Sequence, residues 1–357
     1  MFSSDQILKI EKEISSKVDG KTLFDEFSRG RYSTDASVYQ IKPIGVVLPK
    51  DTNDVLNVME YSQKNSIPLL ARGGGSSQCG QTVGESLVLD YSRHQNKILD
   101  LNVDEKSVWV EPGVVLDHLN AYLKPYGLWF PVDVSTSSRA TIGGMSANNS
   151  CGSRSLYYGN MVHNVLAIET ILDDGSIHTF DEIQKNYLAQ KNNQDRLYKI
   201  IDKFIDLRQR VGAEIDENWP TTQRRVGGYN IDLIDPNGFN SSHILVGSEG
   251  TLSLFNKIKL KLSEIPKNKI LGVCYFDNFH QAMELTKEIV KLKPTCVELM
   301  DQNLLNLARE IPMYSEGIKK YIKGNPQAVL MVEFIDTEQS IYEKKIKDLE
   351  YLVLNQN

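Results

Sequence analysis

Apolar residues recur along this chain at two spacings, one suited to strands and one to helices, and the two alternate. GVVL (Gly45–Leu48) predicts a short strand. After Pro49, the stretch DTNDVLNVMEYSQKN places Val55, Val58 and Met59 on one helical face behind the capping candidates Asp51 and Thr52. IPLLA predicts the next strand and runs directly into RGGGSSQCGQT, Arg72 to Thr82. SLVLDYS, KSVWVEPG and VLAIETILDDGSIHTF are rich in β-branched residues between turn signals and predict further strands. LDHLNAYLKPYG predicts a helix stopped by Pro125 and Gly127, and DRLYKIIDKFIDLRQRV a longer amphipathic one. HILVGS and LSLFNKIKLKLSEIP predict two more strands separated by EGT, and residues 5–30 predict one or two helices.

Beyond Pro266 the alternation becomes regular. ILGVCYF, TCVELM and AVLMVEF predict strands; NFHQAMELTKEIVKL, QNLLNLAREI and EQSIYEKKIKDLEYLVL predict helices. A pattern of this kind normally returns to its sheet after a helix, so this second unit reads as unfinished at Asn357. The expected organisation is an N-terminal helical segment (residues 1–41), a main domain (42–265) and a partial second domain (266–357).

Composition narrows the function. The chain has 357 residues, a formal charge of -6 and 41% hydrophobic residues, an ordinary globular balance without the basic face of a nucleic-acid binder. No apolar run reaches bilayer-spanning length, and the charged start MFSSDQILKIEKEISSK lacks a signal-peptide layout. Cys79, Cys151, Cys274 and Cys296 are widely spaced, which suggests neither a zinc ribbon nor a disulfide framework and fits a reducing, cytoplasmic setting.

The glycine run is the first chemical signal. A dinucleotide fingerprint fails because Gln78 stands where G-x-G-x-x-G needs its third glycine. The P-loop pattern matches at Gly75, Gly80 and Thr82, but its lysine is Gln81 and no helical pattern follows. Two readings remain level for this loop alone: a glycine-rich surface turn, and a nest in which successive N–H groups of Gly73 to Ser77 converge on an anion. A second loop, VDVSTSSRATIGGMSANNSCGSRSLYYG (residues 132–159), favours the nest. It is long, polar and almost without secondary-structure period, and it carries apolar anchors at Ile142, Met145 and Leu156. Long loops in compact domains are usually functional or disordered, and the anchors oppose disorder.

RGGGSSQCGQ, EPGVVLDHLNAYLKPYGLWFPVDVSTSSRATIGGMSANNSCG, the following YYG, VLAIETILDDG and VGSEGTL together resemble the PCMH-type FAD-binding domain of the vanillyl-alcohol oxidase/p-cresol methylhydroxylase flavoprotein superfamily. Within it the chain is similar to the D-lactate, glycolate and D-2-hydroxyglutarate dehydrogenase branch, over about residues 40–265. The resemblance implies an α+β fold: a two-subdomain FAD-binding domain followed by an incomplete ferredoxin-like substrate (cap) domain. It implies that Gly73, Gly74, Gly75, Ser76 and Ser77 cradle the FAD pyrophosphate, with Gly80 and Gln81 finishing the loop near the flavin. Asp133, Ser138, Thr141, Gly143, Gly144, Asn149 and Gly152 would line the path of the ribityl chain and pyrophosphate, and backbone from Val165 to Ile168 would meet the adenine. Glu249 and Gly250 match a late block close to the cofactor. Ser76 stands where some relatives attach flavin through a histidine, so FAD is expected to be non-covalent; Cys151 reads as a small packed residue.

The same resemblance implies hydride transfer from C2 of a small 2-hydroxy acid to flavin N5. Arg224 and Arg225 are candidate carboxylate clamps, with salt bridging an equal reading for each; Tyr229 and Asn230 are candidate flavin or substrate contacts. Arg139 lies within the flavin loop, where phosphate binding, structure and catalysis compete. The six histidines show no paired spacing, and Glu298 with Asp301 alone makes no metal site, so no metal is expected. Two functions follow: an FAD-dependent 2-hydroxy-acid dehydrogenase working with a complementing C-terminal part or subunit, or a flavin module for electron transfer or assembly. An iron–sulfur or electron-transfer partner, through which the chain would be membrane-associated, belongs to the first.

Overall fold

The computed structural model describes residues 2–184, 195–336 and 339–355. The chain forms two compact units, and the second loop contributes to both. The first comprises Met1–Phe130, Val134–Ser150 and Asn160–Ser263; the second comprises Pro131–Asp133, Cys151–Gly159 and Glu264–Asn357.

Two sheets organise the first unit. In one, Gly45–Leu48, Leu87–Asp90 and Leu69–Arg72 run parallel in that order, and Lys21–Leu23 adds antiparallel to Gly45–Leu48. The strands Gly45–Leu48 and Leu87–Asp90 are buried throughout, as continuous apolar runs in a parallel sheet should be. The helix Thr52–Asn65 covers this sheet. Asp51 caps it by accepting from the amides of Asn53 and Asp54, and Val55, Val58 and Met59 point inward. The other sheet is antiparallel, in the order Ile98–Asn102, Ser107–Val110, Leu254–Lys261, Val165–Ile171, Ile177–Phe180.

The N-terminal segment packs into the core of the first unit. Ile10, Ile14 and Phe24 share one cluster with Val47, Val55, Leu87 and Ile171. Residues 5–30 also hold more than helices: Lys21–Leu23 is a strand between the helices Ser4–Ser15 and Glu26–Arg31. Asp54 locks that turn to the sheet, its buried carboxylate accepting from the amides of Asp19, Gly20 and Lys50.

In the second unit, Asn268–Phe276, Ala328–Asp336 and Cys296–Asp301 form an antiparallel sheet with Ala328–Asp336 central. Alternate residues of the central strand serve two cores. Leu330, Val332 and Phe334 pack with Leu285, Ile289 and Leu349, while Val329 packs with Leu305 and Ile322. The helix Pro312–Tyr321 lies outside the predicted elements. The last helix is seen from Gln339; Glu338, where the pattern begins it, lies outside the described residues.

HILVGS is not a strand. Ser242–Leu245 is a single helical turn, because Asn240 Oδ1 accepts from both the amide and the hydroxyl of Ser242 and turns the chain inward. The second loop is also more ordered than its composition suggests: Ile142–Asn148 is helical, with Thr141 as its N-cap and Asn149 left-handed at its end.

Candidate functional site

The glycine loop leaves the carboxyl end of the edge strand Leu69–Arg72, and the second loop packs directly against it. A side chain on Gly73 would run into Thr141 Oγ1, and one on Gly74 into the Arg139 carbonyl. Ser76 Oγ lies 3.4 Å from Thr136 Oγ1. The close approach of the second loop, through the Thr141 side chain at Gly73 and the Arg139 backbone at Gly74, therefore favours glycine at both places. Gly75 and Gly80 have positive φ, and Gly80 lies against the ring of Tyr39.

Among the described residues, no hydrogen bond engages the main-chain N–H of Gly74, Gly75, Ser76 or Ser77. Four consecutive donors without a partner in a partly open glycine loop can take up an anion. Further in, Asn149 is fully buried. Its Oδ1 accepts from the Val162 amide, while its Nδ2 has no partner. The hydroxyls of Ser146 and Ser248 are likewise buried without partners, and Gly247 N donates to Ser146 O at 2.9 Å. This polar lining fits a phosphate-bearing cofactor with a hydroxylated chain, such as FAD.

A third segment joins the two loops. Glu249 Oε1 accepts from Gln81 Nε2 at 3.3 Å and from Asn148 Nδ2 at 3.4 Å, and Glu249 N donates to Ala147 O. Gln81 also accepts from the Ser77 hydroxyl. Ser138, Gly144 and Gly250 lie at the surface of these loops, whereas Gly143 is buried, its amide donating to Pro112 O.

Other expected residues have structural partners of their own. Asp133 and Gly152 belong to the second unit, where Asp133 Oδ2 accepts from Arg154 Nη1 at 3.0 Å and its Oδ1 from the Arg154 amide. Burial lifts the Asp133 carboxyl above its ordinary value despite that cation. Ile168 is fully buried with strands on both sides, opposite Ile258 and Phe180, so neither its side chain nor its backbone presents to a ligand. Val165 is buried and hydrogen-bonds through its backbone to His243; the neighbouring Leu166 carbonyl accepts from Asn240 Nδ2.

The catalytic candidates are largely committed to structure. Arg225 pairs with Asp232 at 2.7 Å and lies over the Trp219 ring at 4.9 Å. Asn230 is buried, its Nδ2 donating to the carbonyls of His243 and Val246, so it holds a loop rather than facing a substrate. Tyr229 is exposed, with its hydroxyl 2.7 Å from Thr251 Oγ1. Burial, and then Arg225, hold His163 below the usual imidazole range. Among the described residues no group of three or more His, Cys, Asp or Glu side chains could hold a metal ion.

Sequence reading missed Thr136 and Asn148, polar neighbours within the quoted loop, and Arg72, which stands at the head of the glycine run. Nothing in their spacing marked them.

The fold defines a mixed α/β protein in which a two-sheet domain closes glycine-rich loops on each other and precedes a smaller α/β unit. Residues 43–181 match the family described as FAD binding domain, and residues 265–356 that described as FAD linked oxidases, C-terminal domain. FAD is the cofactor of this domain pair. The chain is 31% identical over 344 residues to a D-2-hydroxyglutarate dehydrogenase of Escherichia coli (strain K12), covering 92% of this chain and 33% of that protein. It is 28% identical to the glycolate oxidase subunit GlcD of Bacillus subtilis (strain 168), covering 92% of this chain and 59% of that one. The chain thus spans about a third of the first relative's length. The fold is shared with a solved alkyldihydroxyacetonephosphate synthase, with a TM-score of 0.70 at 17% identity over 99% of this chain and 60% of that one. No described helix is long and apolar enough to cross a membrane.

Proposed function

We propose that the chain is the FAD-holding part of an oxidoreductase acting on a small 2-hydroxy acid. Its glycine loop binds the FAD pyrophosphate through the amides of Gly74 to Ser77, without a covalent bond. The observation that carries this reading is the row of four unengaged N–H groups where the two loops meet. Ser76 and Thr136 add hydroxyls, and the free Nδ2 of Asn149 with the Ser146 and Ser248 hydroxyls supplies deeper contacts.

FAD, when bound, supplies the hydride acceptor. The chain's own part is to fix the cofactor and shield it from water. Tyr229 is the catalytic candidate still offering an exposed side chain, and Arg224, five positions earlier in the sequence, is an exposed cation. Because Arg225 and Asn230 are already engaged, the substrate carboxylate clamp and the proton acceptor come from outside these residues. They belong to a complementing C-terminal part or subunit, and the electrons taken up by FAD would leave it for an iron–sulfur or other electron-transfer partner in a cytoplasmic setting. The same engagement favours a second reading, a flavin module without independent oxidation.

Purified protein should be yellow or take up FAD. Anaerobic D-2-hydroxyglutarate, D-lactate or glycolate should bleach it once the complementing part is present; bound flavin that no such acid bleaches would favour the second reading. Gly74→Ala should lose flavin at least roughly tenfold more readily, because even a methyl meets the Arg139 carbonyl. Undiminished flavin in that variant would refute the loop assignment.

A further inference from the structure

We infer that Arg72 is a positioning residue of the cofactor site: its guanidinium, held behind the glycine loop by main-chain carbonyls, supplies positive charge to a diphosphate on that loop. This rests on the proposed reading of the loop and adds a charged group and a back wall to it. Arg72 Nη1 donates to Thr82 O at 3.0 Å and to Tyr32 O at 3.3 Å, and Nη2 donates to Thr34 O at 2.7 Å. The guanidinium also lies 5.3 Å from the Tyr32 ring centroid. A Cβ built on Gly75 would stand 2.5 Å from Arg72 Nη2, so the cation backs the middle of the row of free amides.

The charge is not cancelled at close range. Among the described residues no carboxylate pairs with Arg72 within 4.0 Å. The two carboxylates nearest in effect, Asp90 and Asp35, are occupied elsewhere. Asp90 accepts from Tyr32 OH and the Ser92 amide; Asp35 accepts from Thr82 Oγ1 and the Ser37 amide. A guanidinium remains protonated in such a setting. Carbonyl oxygens fix its place while leaving its formal charge to act on whatever anion the loop holds.

The same contacts give residues 32–40 a role. Tyr32 and Thr34 receive the Arg72 fork, Asp35 ties Thr82, and Tyr39 lies against Gly80. This stretch of the N-terminal segment grips both ends of the glycine loop and sets its shape.

Arg72→Met removes the fork and the charge, whereas Arg72→Lys removes the fork and keeps the charge. FAD titrated into each apoprotein, followed by flavin fluorescence, should bind roughly 10- to 100-fold more weakly to R72M and within about fivefold of the native affinity to R72K. The gap between them should narrow as salt is raised. Equal losses in both variants, or a gap indifferent to salt, would overturn the inference. Should R72M not fold, R72K decides: a folded lysine variant as weak as tenfold or worse overturns it, and one near native affinity supports it. A native chain that takes up no FAD, or a Gly74→Ala chain that keeps it, refutes the loop reading itself and is thereby told apart from failure of Arg72 alone.

Discussion

Glu249 concentrates the logic of the site in one residue. Its φ is +50°, a left-handed conformation that costs a residue with a side chain about 1 kcal/mol or more, and it sits between Gly247 and Gly250, which adopt positive φ without that penalty. A non-glycine at such a place implies that its side chain is needed. Here the carboxylate receives the amides of Gln81 and Asn148, which come from the two loops that close on each other. Glu249→Gly should therefore leave the apoprotein within about 1 kcal/mol of native stability, relief of strain offsetting the added chain entropy. Flavin retention should nevertheless fall several-fold. Urea unfolding of the apoprotein and FAD titration separate these effects; a variant that binds FAD as the native chain does would leave Glu249 without a part in the site. The role of this residue type in VGSEGTL was legible only through family resemblance, since neither spacing nor hydropathy reveals that three remote segments meet there.

At the scale of elements, legibility follows burial. Gly45–Leu48, Thr52–Asn65 and Leu254–Lys261 are read correctly from pattern because each packs a face whose period the sequence records. Lys21–Leu23 and Ile98–Asn102 are short edge strands with mixed exposure, and they leave no such record. HILVGS reads as a strand because it is apolar, yet side-chain bonds from Asn240 to Ser242 start a helical turn. That turn places His243 against the Val165 backbone, where burial pushes its imidazole down to about 4. In the unfolded chain His243 protonates near 6.5, so between about pH 6.5 and 4 the unfolded state binds the extra proton. Its contribution is thus fully present above pH 6.5 and is lost as pH falls towards 4, by on the order of 3 kcal/mol. His243→Gln should flatten the dependence of urea midpoints on pH across that window. An unchanged slope would place the acid sensitivity in other groups.

Across the whole chain, the long polar loop serves both units, a division its composition conceals. Residues 134–150 fold with the first unit, while 131–133 and 151–159 fold with the second. In the second unit Arg154 is the clasp. It binds Glu333 through two parallel hydrogen bonds of 2.8 and 2.9 Å and Asp133 through one of 3.0 Å, with all three side chains half-buried or better. Glu333 lies on the central strand Ala328–Asp336, so the clasp fastens loop pieces to the middle of the sheet. Beside it, burial and then Glu298 and Glu333 push the Cys296 thiol up to about 11. Arg154→Met keeps much of the packing but leaves Asp133 and Glu333 facing each other without a cation, a loss of about 2–3 kcal/mol. Each unit has its own apolar clusters, so the loss should appear as faster amide exchange in Cys296–Asp301 and Ala328–Asp336. The sheet through Gly45–Leu48 and Leu87–Asp90 should exchange as before. FAD should act in the opposite place, slowing exchange in residues 69–82 and 134–150 and raising the unfolding temperature of the native chain by mass action. If R154M instead loosened both sheets equally, the two units would not be separate in stability, and the clasp would have to be counted as holding the whole chain.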